Sequence, residues 1–388
     1  MIGISKLYFG AIEPSDALRY RRGVHRRPVV VWNCTPRCNL ACSHCYAAHE
    51  GAQSELSTEQ ALGVIDDLAA FGVPVVLFSG GEPFARADVR TLAAHAKARG
   101  LRVTFSTNGT LIDDDCADWI RDLGVAYVGI SIDGTEAVHD SFRRCPGAYA
   151  RSLAAIRRLR DRGVKVGLRV TMTRANVAAI PAIFELMRRE RVPRICLYHL
   201  VYTGRGREIA ATDLDHAEAR AALETIIEET RRCFDSGFPV EVLTVDNACD
   251  GVALYMKMAK EGHPNAAKAL ELLRLNGGNS SGEGIACISW DGTVYPDQFW
   301  RNRPVGNVQE RPFSEIWGNP PSGSLLDLLR HKKEHVKGRC RACRWLDICG
   351  GNFRARGEAV TGDMWGEDPT CYLTDEEIAE EGVRDEDA

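Results

Sequence analysis

The sequence predicts an α/β protein, a partial (β/α)6 TIM-like barrel followed by a smaller C-terminal domain. Three observations predict it. Apolar runs alternate with amphipathic segments of helical period from residue 29 to about 238. Polar and glycine-rich turns recur where those runs end. Past residue 285 the alternation gives way to a hairpin signal and a cluster of cysteines. Strict alternation implies a parallel sheet with right-handed crossovers, and six units suffice for a curved three-quarter barrel but not for a closed one of eight strands.

The expected organisation is a basic N-terminal arm (1–28), the barrel (29–238), a helical linker region (239–284), the second domain (285–373) and an acidic tail (374–388). The arm carries Lys6, Arg19, Arg21, Arg22, Arg26 and Arg27 against Glu13 and Asp16, and the tail carries eight acidic residues against Arg384. The few aromatic residues of the arm, Tyr8, Phe9 and Tyr20, make no regular interleaving with the basic ones, so no nucleic-acid platform is expected. No apolar run approaches membrane-spanning length and no signal-peptide pattern is present, which predicts a cytoplasmic protein without membrane contact. In that reducing compartment, 14 cysteines read as metal-cluster ligands and buried thiols rather than disulfides.

Residues 29–33 form the first strand and lead into Cys38-Asn39-Leu40-Ala41-Cys42-Ser43-His44-Cys45-Tyr46. Three thiols at spacings of four and three can hold three corners of a [4Fe–4S] cube and leave its fourth iron open. A structural zinc site is the alternative, with His44 or Cys34 as the fourth ligand. Ser57-Thr58-Glu59-Gln60 reads as a capping box opening a helix to about Phe71. Strands follow at 74–78, 101–106, 126–132, 165–171 and 194–201, with helices at about 86–99, 114–123, 149–162, 177–191 and 213–235.

In such barrels the reactive groups gather at the C-terminal strand ends. Those ends carry Gly80-Gly81-Glu82-Pro83, then Ser106 with Asn108-Gly109, then Ser131 with Asp133-Gly134, then Arg169 on the fifth strand. After the sixth come His199, Tyr202, Arg205 and Arg207. Asn-Gly and Asp-Gly are also ordinary turn dipeptides; recurrence at successive strand ends is what marks them. Residues 251–275 are loosely helical, and Asp291-Gly292 turns a hairpin between 285–290 and 293–295. Cys340, Cys343, Cys349 and Cys371 then form a second four-thiol set.

The Cys38/Cys42/Cys45 triplet, the Gly80–Pro83 loop and the C-terminal thiol set together resemble the radical S-adenosylmethionine (SAM) enzymes that carry a SPASM/twitch extension. The resemblance implies two [4Fe–4S] clusters. One, on Cys38, Cys42 and Cys45, would bind SAM through its open iron. The other, auxiliary and fully ligated by Cys340, Cys343, Cys349 and Cys371, would make the C-terminal unit an iron–sulfur domain. It further implies SAM contacts from Gly80, Gly81, Glu82 and Pro83, ribose contacts from Ser106, Asn108, Ser131 and Asp133, and a SAM-carboxylate contact from Arg143 or Arg169, with Arg144 not separable from them. A diglycine suits the first role because backbone approaches closely where no side chain intervenes. Asp297 and Phe353 stand where a second auxiliary cluster of the pattern has cysteines, so that cluster is expected to be missing, and Cys287 reads as a buried thiol or a remaining ligand.

Residues 1–20, 199–206 (HLVYTGRG), 275–282 (LNGGNSSG) and 289–300 (SWDGTVYPDQFW) are most similar to the tetrapyrrole-modifying group, in the alternative heme and heme d1 pathways. The implied reaction removes acetate side chains from 12,18-didecarboxysiroheme to give iron-coproporphyrin III. Alternatives are propionate removal in heme d1 synthesis, peptide modification as in other SPASM relatives, and a non-catalytic iron–sulfur electron carrier. Implied partners are the iron tetrapyrrole and a reducing donor such as a flavodoxin or ferredoxin. His199, Tyr202 and Arg205 are the candidate catalytic residues, His199 either as a rim residue or as a ligand to the substrate iron. Arg19, Arg21, Arg22, Arg205 and Arg207 are candidates to hold its carboxylates, because arginine grips a carboxylate with two parallel hydrogen bonds.

Overall fold

The computed structural model describes residues 1–11, 16–20, 27–48 and 54–379. Arg21, Arg22 and the greater part of the acidic tail lie outside them. Eleven strands among the described residues form one sheet. Its parallel core is β2 (Val29–Thr35), β3 (Val75–Gly80), β4 (Arg102–Thr107), β5 (Tyr127–Ser131), β6 (Val166–Met172), β7 (Arg194–His199) and β8 (Glu241–Val245), each beside its chain neighbour. β1 (Ile2–Gly3) runs antiparallel to β8 at one edge. At the other, β9 (Ile285–Ile288) pairs parallel with β2 and leads to β10 (Thr293–Tyr295) and β11 (Gly306–Asn307).

Two expectations are corrected here. The parallel series has a seventh member, β8, inside the segment read as linker; its Glu241 interrupts the apolar pattern because it is buried to receive Arg19 at 2.7 Å. The N-terminal segment is not simply an arm. Ile2, Ile4 and Leu7 are buried in the main core, and Ser5 Oγ accepts the Val242 N–H at 3.0 Å. A three-residue apolar pattern is too short to announce burial.

Strand alternation divides the core into two shells. Trp32, Phe78 and Phe105 are fully buried and stack at 5.7 and 5.4 Å, while Val31, Leu77 and Thr104 face a chamber inside the curved sheet. Inside it Arg169 needs room: a Cβ on Gly129 of the neighbouring β5 would lie 2.7 Å from Arg169 Cδ.

The predicted capping box opens the helix Thr58–Phe71. Ser57 Oγ accepts the Gln60 N–H at 3.2 Å, and Gln60 Oε1 accepts the Ser57 N–H at 2.9 Å. Ser57→Ala is expected to lower stability by about 1 kcal/mol, read as a lowered urea midpoint at unchanged slope.

Candidate functional site

The C-terminal ends of β2 to β7 surround an upper cavity of about 1050 Å3, its mouth included. Cys38, Cys42 and Cys45 line it together. They are close enough that Cys42 and Cys45 add to the rise that burial imposes on the Cys38 thiol, pushed up to about 12. Donors point at the sulfurs: Leu40 N–H at 3.4 Å from Cys38 Sγ, and Arg143 Nη1 at 3.5 Å from Cys42 Sγ. Such donors suit thiolates carrying a charged cluster.

The zinc alternative loses its fourth ligands. Cys34 is fully buried with its thiol on Ser79 O, and His44 stacks on Phe142 at 4.3 Å. Burial drives His44 down to about 3, so its ring is neutral. Among the described residues no three His, Cys, Asp or Glu side chains converge as a single ion requires; a cube, by contrast, spreads its thiolates over separate corners.

Gly80 and Gly81 line the cavity, and a Cβ on Gly81 would fall 2.2 Å from Arg37 O. The diglycine therefore lets β3 press against the strand that carries the thiol loop. Glu82 and Pro83 do not line the cavity. Glu82 is buried beneath it, accepting Thr107 Oγ1 at 2.7 Å and Asn108 N–H at 2.8 Å. Burial raises its carboxyl to about 7 against those hydrogen bonds. Its place is that of a brace between the ends of β3 and β4.

Ser106, Asn108 and Ser131 line the cavity as expected positions for ribose contacts, whereas Asp133 sits behind it. Asp133 accepts Arg143 Nε at 2.6 Å and Thr171 N–H at 3.2 Å. Burial pushes its carboxyl up, but Arg143 with His44 and His139 outweighs this and holds it below the usual range. The three arginines are now distinct. Arg144 is exposed, Arg143 is tied to Asp133 and Cys42, and Arg169 lies 4.7 Å over the Tyr198 ring.

His199 also faces the cavity, with Nε2 2.9 Å from Asp250 Oδ2, and Tyr372 donates to Asp250 Oδ1 at 2.7 Å. Tyr202 and Arg205 do not line it. Tyr202 donates to Asp213 at 2.7 Å, and Arg205 braces the thiol loop, its Nε 2.7 Å from Cys42 O and its N–H 3.0 Å from Cys45 O. Arg19 is tied to Glu241 and Asp16. Arg207 lines a separate surface cavity with Glu358.

Below the upper cavity lies a larger chamber of about 1560 Å3, mouth included. The two share Val31, Leu77, Arg169, Tyr198, Gln298 and Phe299. Gln298 and Phe299 come from the C-terminal unit, so both units build the site; the sequence marked them only as part of the segment 289–300, with no role of their own.

The second thiol set also converges. Cys371, Cys340 and Cys343 each add to the rise that burial imposes on Cys349. A Cys absent from the sequence reading stands beside them: the neighbouring, buried Cys249 thiol lowers that of Cys371 to about 7. Cys287 is buried, with Asn33 Nδ2 at 3.5 Å from its sulfur. Asp297 accepts Ser281 Oγ and the N–H groups of Phe299 and Trp300 at 2.7 and 2.9 Å. Phe353 is packed in a core cluster with Trp300. The donor sets thus fit one cube on three thiols and another on four.

Residues 32–187 match the radical SAM superfamily and residues 280–344 an iron–sulfur cluster-binding domain. The Fe-coproporphyrin III synthase of Methanosarcina barkeri (strain Fusaro / DSM 804) is 52% identical over 97% of this chain and 99% of its own length. The pre-heme d1 synthase of Dinoroseobacter shibae (strain DSM 16493 / NCIMB 14021 / DFL 12) is 42% identical over 92% and 88% respectively. The solved structure of Streptococcus suis SuiB bound to S-adenosylmethionine superimposes with a TM-score of 0.70 at 15% identity, covering 90% of this chain and 78% of that one. That last likeness concerns the fold.

Proposed function

The chain belongs to the tetrapyrrole-modifying radical SAM enzymes with a C-terminal iron–sulfur cluster-binding domain, and we propose that it removes the two acetate side chains of 12,18-didecarboxysiroheme to give Fe-coproporphyrin III. Its cofactors are SAM and [4Fe–4S] clusters. The observation that carries the substrate assignment is the end-to-end likeness to an Fe-coproporphyrin III synthase.

Cys38, Cys42 and Cys45 hold the SAM-binding cluster; Cys340, Cys343, Cys349 and Cys371 hold the auxiliary one. SAM, reduced by one electron when bound there, supplies the hydrogen-abstracting radical. Gly80 and Gly81 admit the cofactor's methionine end close to backbone, Ser106, Asn108 and Ser131 take its ribose, and Arg169 or Arg143 its carboxylate. The lower chamber takes the macrocycle. Arg169 and Tyr198, shared by both spaces, bring cofactor and substrate together. His199, oriented by Asp250, stands at the same rim and holds a proton or the substrate iron there. Glu82 and Asp133 act from behind, and Tyr202 and Arg205 hold the surrounding loops. A flavodoxin or ferredoxin in the cytoplasm supplies the electron; among the described residues no helix is long and apolar enough to cross a membrane.

Anaerobic incubation of reduced, cluster-loaded protein with SAM and 12,18-didecarboxysiroheme is expected to release both acetates, followed by mass spectrometry of the macrocycle. The pre-heme d1 synthase likeness favours a second reading. Loss of propionates from the same substrate would select it and reject the first.

A further inference from the structure

Asp246 directly follows β8 and takes a left-handed backbone conformation, φ 65°. Strand alternation would send Val245 and Asp246 to opposite faces of the sheet. Both line the lower chamber instead. The positive φ, rare for a residue other than glycine, is what turns the Asp246 side chain back inward. Two contacts from the C-terminal unit hold this turn: Arg356 Nη2 donates to Asp246 O at 2.7 Å, and Asn352 Oδ1 accepts the Ala248 N–H at 2.7 Å. Asp246 Oδ2 is shielded from solvent and has no hydrogen-bond partner among the described residues. A strained backbone that sets a residue with an unsatisfied carboxyl oxygen in a chamber wall is a mark of ligand contact.

The chamber's charge indicates the ligand. Arg19, Arg102, Arg169 and Arg194 line it. Glu241 pairs with Arg19 at 2.7 Å and with Arg194 at 3.4 Å, whereas Arg169 has no carboxylate partner among the described residues. An anionic guest is favoured, and an ionised aspartate would repel it. We propose that Asp246 is a substrate-contacting residue of the lower chamber, donating a hydrogen bond from its carboxyl group to a side-chain carboxylate of the macrocycle.

The inference rests on the tetrapyrrole reading of the chamber. Its electrostatics agree with the geometry. Burial pushes the Asp246 carboxyl up to about 7, Asp297 adds to the rise, and the Met1 amino group, Arg356 and His199 oppose it. The proton that makes Asp246 a donor is therefore present below about pH 7 and lost above it. Affinity for a polycarboxylate should fall as pH rises, opposite to the behaviour of a site in which Asp246 is a permanent anion.

The test uses cluster-loaded protein titrated anaerobically with Fe-coproporphyrin III and read by the shift of the porphyrin absorbance. Wild-type affinity is expected to weaken about tenfold between roughly pH 6.5 and 8.5, one pKa unit of coupling being tenfold. Asp246→Asn keeps a donor and tolerates the left-handed backbone, so it should bind near the wild-type level at the lower pH with a flat profile. Asp246→Gly prefers that backbone, so it should fold at least as stably while binding about tenfold more weakly at the lower pH, the loss of one charge-assisted hydrogen bond. A stably folded glycine variant that binds as wild type does, or an asparagine variant that keeps the full pH dependence, would overturn the assignment. Failure of the wild type itself to bind would instead remove the tetrapyrrole reading, and this inference with it.

Discussion

Cys42→Ala is expected to lose about four irons per chain and all SAM cleavage, whereas Cys371→Ala loses about the same iron and still cleaves SAM. The difference follows from where the thiols sit. Cys42 belongs to the set that shares a cavity with Gly80, Ser106 and Arg169, and its carbonyl and sulfur are both held, by Arg205 and Arg143. A cube on three protein ligands has none to spare, and Cys34, the thiol nearest to the triplet in sequence, is turned to Ser79. Cys371 belongs to a set of four that lines neither chamber. Iron analysis paired with chromatography of 5′-deoxyadenosine checks both variants. Loss of SAM cleavage in folded Cys371→Ala protein would contradict the division of labour between the two sets.

Cys249 sharpens the second half of that expectation. Its thiol donates to Asn247 Oδ1 at 2.9 Å and neighbours that of Cys371. Cys249, just past β8, thus approaches the second thiol set from 122 residues away in the chain.

Much of the architecture is legible before any coordinates. The barrel strands are nearly continuous apolar runs because both faces of a parallel sheet are covered, and the Gly80-Gly81 and Asn108-Gly109 turns stand out between them. Where polar residues are buried in pairs, the signal fails. Glu241 hides β8 because its partners, Arg19 and Arg194, come from elements far away in sequence. The Gly80–Pro83 motif was legible as a unit, but its members divide: the glycines face the cavity, while Glu82 satisfies the N–H of Asn108 beneath it. Asp246 left no trace in composition or periodicity. Its significance lies in a backbone angle and in contacts made by Arg356, and neither is encoded locally.

Arg356→Met is expected to destabilise the protein by about 3–5 kcal/mol, the cost of breaking a buried ion pair from one side. The Arg356 and Asp368 side chains are both inaccessible to solvent and meet through two contacts of 2.9 Å. The remaining donors of the guanidinium reach Leu200 O at 3.0 Å, just past β7, and Asp246 O at 2.7 Å, just past β8. One side chain of the C-terminal unit thus holds two barrel strand ends. Methionine fills the volume but strands a carboxylate in the interior, where burial pushes its pKa up and Arg356 is first among the groups that hold it down, ahead of the Thr370 N–H and Arg354. The sign of the pH dependence follows. A depressed folded pKa contributes stability that is complete above the unfolded value of about 4 and is lost as pH falls through the folded one. Arg356→Met should lose that contribution and be destabilised most near neutral pH, with the gap to wild type narrowing in acid. In the double variant Arg356→Met/Asp368→Asn no buried charge is left unpaired, so part of the loss should return. Anaerobic urea midpoints of the wild type, Arg356→Met, Asp368→Asn and the double variant at two pH values measure the coupling. Equal losses in the single and double variants would show that the backbone contacts to Leu200 and Asp246, rather than the ion pair, carry the stability, and the strand ends of the chamber would then be the part that loosens first.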